Sequence, residues 1–134
     1  MKLQYTTNCA LLIMAYLTGE NRIIPSRELQ EHTGFAQQSI FTAARKLKAA
    51  GYVTTVSGPF GGYILGKPAD RITVQEILEL FCDTVSIRGG ELSERQADKT
   101  TLRNFANRLA ELDADLDRKL SALTFAELMG DVCA

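Results

Sequence analysis

The stretch from Ser26 to Gly66, SRELQEHTGFAQQSIFTAARKLKAAGYVTTVSGPFGGYILG, constrains the fold more than any other. Ser26 is suited to cap a short helix around Leu29, and Gly34 to end it. A second helix is expected from about Ala36 to Ala50, stopping at Gly51. On a 3.6-residue period Ile40, Ala43, Ala44 and Leu47 share one face, which should be the buried one. Gln38, Thr42 and Arg45 take the opposite face, with Lys46 beside them. An apolar stripe backed by an amide, a hydroxyl and cations suits a helix that lies in a DNA major groove. Two β-rich segments follow, Tyr52–Val56 and Tyr63–Leu65, joined by Ser57-Gly58-Pro59-Phe60-Gly61-Gly62. That is a hairpin with a flexible tip. Together these elements spell a winged helix-turn-helix.

Around this centre the chain reads as mostly α. A first helix is expected from Thr6 to Thr18, ended by Gly19. Its apolar positions cover much of its circumference, as in a central core helix. Cys9 falls in that run and reads as a buried small hydrophobe. Ile23-Ile24 is expected to pair briefly with the wing before Pro25 opens the next helix. After the break at Lys67-Pro68-Ala69-Asp70, Thr73 and Glu76 have capping-box spacing at the head of a short helix, Val74 to Phe81. Thr84 to Ser93 reads as a loop. From about Glu94 to Leu120 a long helix carries Leu102, Phe105, Leu109, Leu112, Leu116 and Leu120 at three- and four-residue steps. Such a seam exceeds what a small winged domain covers alone, so a second copy of the chain is the expected partner. Thr124 to Met129 is a last short helix. The division expected is a DNA-binding unit over 1–83 and a dimerisation helix with its C-terminal helix over 94–134.

Charge sorts with this division. Residues 1–71 hold eight Lys and Arg against four Asp and Glu, whereas residues 72–134 hold seven against twelve. A basic first half beside an acidic second half places a nucleic-acid face on the former only. With 134 residues the chain can bury a real core. No apolar run approaches the ~18–20 residues of a membrane span, and no signal-peptide cleavage pattern follows Cys9–Leu17, so a cytoplasmic protein is expected. Three widely spaced cysteines, Cys9, Cys82 and Cys133, form neither a disulfide framework nor a zinc ribbon.

Several local phrases then resemble the Rrf-type family of bacterial winged-helix regulators. They are the N-terminal Met1-Lys2-Leu3, Ala10-Leu11, Leu47, the Ala50-Gly51-Tyr52-Val53 junction and the wing phrase Ser57 to Gly66. Further along come Ile72-Thr73-Val74-Gln75-Glu76-Ile77 and Leu123-Thr124-Phe125-Ala126-Glu127-Leu128. The resemblance implies a dimer whose long helices cross, each tail packing on the other subunit, with two recognition helices presented to adjacent major grooves. Three departures accompany it. Cluster-binding members hold iron and sulfur through three closely spaced cysteines, whereas here no Cys or His lies between Asp83 and Val132 and Cys82 stands alone. Ser57 occupies a wing position where the family usually has an arginine, and Phe60 replaces a glycine. Phe41 stands where the cluster-binding regulator has a glutamate; a phenyl ring can contact a thymine methyl but cannot accept from cytosine.

Other chemistries find little support. Gly58 to Gly62 is followed by a strand and no Lys-Ser/Thr, unlike a phosphate cradle. His32 is the sole histidine, which excludes a His cluster or a Ser-His-Asp set. Glu111, Asp113, Asp115 and Asp117 read as a solvated helix face rather than acid–base machinery. The expected function is that of a homodimeric, sequence-specific DNA-binding transcriptional regulator, a repressor occupying a pseudo-palindromic site in double-stranded DNA. It is no enzyme, and neither metal nor cofactor is expected. Gln38, Ser39, Thr42 and Arg45 are the groove candidates, with Lys46, Lys48 and Lys2 for phosphate. Gly61 and Gly62 are to approach the DNA backbone, with Tyr63 anchoring the wing. The competing readings are a winged-helix protein–protein module and a thiol-based redox sensor using Cys82.

Overall fold

The computed structural model describes residues 4–81 and 100–133, with side chains up to Gly130. Lys2, Cys82, the Thr84–Ser93 loop and the start of the long helix at Glu94 lie outside the described residues.

Helix α1 spans Tyr5–Glu20 and buries Thr7, Cys9, Ala10, Ile13, Met14 and Leu17. Three- and four-residue steps between these positions bring them onto contiguous turns, so the helix runs through the core. It continues past the expected stop at Gly19. Asn21 is the terminating residue, left-handed at φ 49° and ψ 46°, with its N–H donating to the Leu17 carbonyl. Asn tolerates that region better than most residues. Gly19 serves packing instead: a Cβ there would lie 3.2 Å from Met129 Cε.

Helix α2, Ser26–Thr33, starts one residue earlier than the expected cap allows. Pro25 is its N-cap and Ser26 its first helical residue, with no side-chain cap. The Pro25 carbonyl takes the N–H groups of Glu28 and Leu29 at 3.0 and 3.2 Å. Gly34 ends the helix at φ 78°, as its sequence position predicts. Helix α3, Gln37–Ala49, buries Ile40, Ala43, Ala44 and Leu47, the stripe expected of it. Gly51, at φ 86°, and Tyr52 then donate to the carbonyls of Lys48 and Leu47, turning the chain into the wing.

Strands β1, Val53–Val56, and β2, Gly62–Leu65, pair antiparallel with Val53 opposite Leu65 and Thr55 opposite Tyr63. Ile24 adds the expected bridge to Tyr63 on the outer side of β2. After a single 3-10 turn at Ala69–Arg71, α4 covers Val74–Leu80. Its capping box is complete: Glu76 N–H donates to Thr73 Oγ1 at 3.2 Å, and Thr73 N–H to Glu76 Oε2 at 2.7 Å.

Helix α5, Thr100–Ala122, is about 34 Å long and buries no residue fully. It packs along α4, where Gln75 reaches Asp117 Oδ1 at 2.6 Å and Ser121 donates to Gln75. Helix α6, Phe125–Cys133, outlasts the expected end at Met129. Its first turn is fastened by two backbone bonds, Val74 N–H to the Leu123 carbonyl and Phe125 N–H to the Ile72 carbonyl, each 3.0 Å. Phe125 is 1 % exposed and joins the core, and α6 packs on α1 of its own chain. Within this chain Phe125 shares one buried apolar cluster with Ile72 and Ile77.

Candidate nucleic-acid interface

The exposed side of α3 carries Gln38, Thr42 and Arg45 in succession, three and four residues apart. Thr42 Oγ1 donates to the Gln38 carbonyl at 2.9 Å, which turns its lone pairs outward as acceptors. Ser39 is half-buried, and its carbonyl accepts from Cys9 Sγ at 3.7 Å. Arg45 and Lys48 border a cleft of about 240 Å³ with Phe41, Ala44, Thr55 and Tyr63. Helix and wing thus share one concave strip with two cations on its rim. Lys46 is differently placed: its ammonium sits 5.0 Å from the centre of the Phe81 ring, on the side of α3 that meets the end of α4. Lys48 therefore belongs with Arg45, and Lys46 with α4.

A second cleft, of about 320 Å³, continues from the first between the wing and the start of α2. Thr55 and Tyr63 line both, and Arg27, Gly58 and Gly61 are among the residues that extend the second to the hairpin tip. Thr55 was not singled out by sequence reasoning. Its side chain acquires meaning only through the strand register that sets it opposite Tyr63.

The electrostatics of this strip follow from what is missing. Between Glu31 and Asp70 the chain carries no carboxylate at all. Among the described residues Arg45 and Lys48 have no acidic partner, whereas Arg22, Arg27 and Arg118 are paired with Glu28, Glu31 and Asp115. The cations of α3 therefore keep their field for an external anion.

Gly61 and Gly62 owe their lack of a side chain to the protein itself. A Cβ on Gly61 would overlap the Val56 carbonyl, and one on Gly62 the carbonyl of Ile24. Tyr63 is half-buried between wing and core, and burial pushes its phenol pKa up. Behind the interface, Glu28 accepts from Tyr16 Oη at 2.6 Å and from Arg22 at 3.1 and 2.5 Å, while His32 stacks on Tyr16 at 5.4 Å. This cluster fixes α2 against α1 and the loop between them. No spacing in the sequence announced it, since its members come from three elements.

No set of three or more His, Cys, Asp or Glu suited to a metal exists among the described residues. Cys9, the described free thiol, is buried under α3, and burial pushes its pKa up to about 11. Among the described residues no helix is long and apolar enough to cross a membrane.

Two strands beside a helix-turn-helix define a winged helix-turn-helix, here with an unneutralised cationic helix face. A family model for Rrf2, described as an iron-dependent transcriptional regulator, matches residues 3–131, and the chain belongs to that family. It is 32 % identical over 69 residues to the HTH-type transcriptional regulator IscR of Cronobacter sakazakii, covering 52 % of this chain and 43 % of that one. The fold matches that of CymR, the global cysteine regulator of B. subtilis, with a TM-score of 0.75 at 19 % identity over 97 % of each chain. It also matches IscR of T. potens, with a TM-score of 0.71 at 19 % identity over 98 % of this chain and 88 % of that one. The chain spans about half the length of the curated relatives it matches first.

Proposed function

We propose that this protein is a homodimeric, sequence-specific DNA-binding transcriptional regulator that represses by occupying promoter DNA and works without an iron–sulfur cluster. The observation that carries the reading is the strip shared by α3 and the wing, cationic and free of carboxylates. Gln38 and Arg45 supply edge-reading hydrogen bonds in the major groove, Thr42 an acceptor, and Lys48 a phosphate contact. Ser39 belongs at the margin, Lys2 supplies a further phosphate contact in this reading, and Tyr63 holds the wing in register. Family membership supports a regulator of transcription.

The second half of the reading concerns α5. Phe105 and Leu112 are 62 % and 53 % exposed, Leu102 is exposed, and Leu109, Leu116 and Leu120 are half-buried. In this reading residues 94–134 supply the dimer contact and residues 1–83 the DNA contact. Burying each such side chain contributes ~1.5–3 kcal/mol, so several per subunit offset the entropic cost of association. Two recognition helices related by a two-fold axis then read a pseudo-palindrome, where one would meet too few base pairs for selectivity. A regulator of this kind works in the cytoplasm.

Selection of bound sites from random duplex DNA with purified protein tests the reading. The expected outcome is a pseudo-palindromic consensus whose affinity falls steeply with salt. No enrichment, with a flat salt response, would favour a protein–protein module instead. Protein prepared without oxygen should be colourless and free of acid-labile sulfide; stoichiometric iron would overturn the cluster-free part.

A further inference from the structure

We infer that Phe60 is a wedge that enters the minor groove beside the groove held by α3 and reads how easily a base step unstacks, an inference that rests on the DNA-binding reading above. Phe60 is 91 % exposed, against 62 % for the next most exposed large apolar side chains described, Tyr5 and Phe105. A single surface aliphatic needs no explanation. A whole phenyl ring displayed at the end of a rigid turn is a different matter.

The turn is built to hold the ring out. Gly61 N–H donates to the Gly58 carbonyl at 3.0 Å, Gly58 adopts φ 101°, and Pro59 fixes its own φ just before the ring. Gly61 itself is pressed against the Val56 carbonyl, which leaves the tip little room to fold inward. From Ser57 to Gly62 no side chain is charged. The side chains of the tip therefore neutralise no phosphate, and its one large side chain offers apolar contact.

The tip also lies where a groove wall would be. The cleft rimmed by Arg45 and Lys48 runs through Thr55 and Tyr63 into the cleft that ends at Gly58 and Gly61. A four-residue strand extends ~13 Å, enough to carry the tip past one sugar–phosphate strand from the major groove. The neighbouring minor groove is ~6 Å wide and admits an aromatic edge. Apolar side chains inserted there part a base step and kink the duplex, and pyrimidine–purine steps yield most readily.

Phe60→Ala and Phe60→Trp, measured on a duplex selected by the wild-type protein, test this. Phe60→Ala should bind about 10- to 100-fold more weakly, from loss of one buried ring. The slope of log affinity against log salt should stay at its wild-type value, since no phosphate contact is lost. The chain has no tryptophan, so Phe60→Trp introduces a single indole, and its emission should be quenched by stacking when the duplex binds. Quenching should weaken when the pyrimidine–purine step facing the tip is replaced by a stiff A-tract step. Equal affinity for Phe60→Ala, a reduced salt slope, or indole emission unchanged on binding would overturn the inference while leaving the DNA-binding reading in place. A wild-type protein that selects no duplex would overturn both. The exposed ring predicts an unchanged thermal midpoint for Phe60→Ala, and the indole readout does not depend on it.

Discussion

Tyr63 and Ile24 exchange both of their backbone hydrogen bonds, each at 2.8 Å, so the wing is fastened to the segment that opens α2. Gly62 lies against the Ile24 carbonyl, and a Cβ there would collide with it. Gly62→Ala should therefore separate the wing from that segment. We expect ~1–3 kcal/mol of lost stability, as for other overpacked sites, seen as a lower thermal midpoint together with weaker DNA binding. A variant that keeps both values would show that the wing is not held by this exchange.

Arg45→Ala should weaken binding to a selected duplex by ~1–3 kcal/mol without changing the fold. Lys48→Ala should weaken all duplexes alike and lower the salt slope by about one. Lys46→Ala should do less to DNA, because its ammonium is engaged by the Phe81 ring. Its main effect should be a stability loss of ~0.5–1 kcal/mol. Anisotropy titrations at several salt concentrations, paired with thermal melts, separate the three.

Phe105→Asp with Leu112→Asp places two charges on the part of the α5 seam that is mostly exposed in its own chain. Sedimentation at micromolar concentration should give a dimer for the wild type and a folded monomer for the double variant, with specific DNA binding lost. A monomeric wild type, or a monomeric variant that still holds its site tightly, would defeat the dimer reading.

The Tyr16–Glu28–Arg22 cluster contributes to both limbs of a pH profile. Hydrogen bonds from Arg22 and then Tyr16 hold the Glu28 carboxyl below its ordinary 4.5. The stabilisation that results is complete above pH 4.5 and is lost as pH falls through the folded value. Tyr16 is the converse. Its hydrogen bond to Glu28, followed by desolvation, pushes the phenol above its ordinary 10.0, so its share is complete below pH 10 and is lost as the solution becomes more alkaline. Both groups are near solvent and the effects are modest. Glu28→Gln should flatten the acid limb of a melting-temperature profile, and Tyr16→Phe the alkaline limb.

Much of this was legible in the sequence because it is local. The α3 stripe, Gly34 and the Thr73–Glu76 box each follow from spacing within a few residues. Where a distant neighbour decides, spacing falls short. Ser26 has the chemistry of a cap, but Pro25 already fits the extended N-cap geometry and takes the position. Gly19 reads as a stop, yet it is small because Met129 lies on it. Lys46 sits beside Arg45 in the sequence and is drawn away by Phe81, the residue that ends α4. The division of the α3 cations between the wing side and the Phe81 ring belongs to the packing of α4, which no period of three or four residues encodes.

The isolated bridge between Thr73 and Thr124 has a mechanical consequence. The chain leaves the winged unit at Val74 and is sewn back to it at Leu123, one bond from each side of the same seam. Between those two stitches α4 is held to the core by Ile77 and Leu78, while α5 buries no residue fully and is the loose part of the thread. Lengthening, shortening or tugging the outer part of α5 leaves the hem where it is, so evolution can redraw the arm without recutting the garment that carries α3 and the wing.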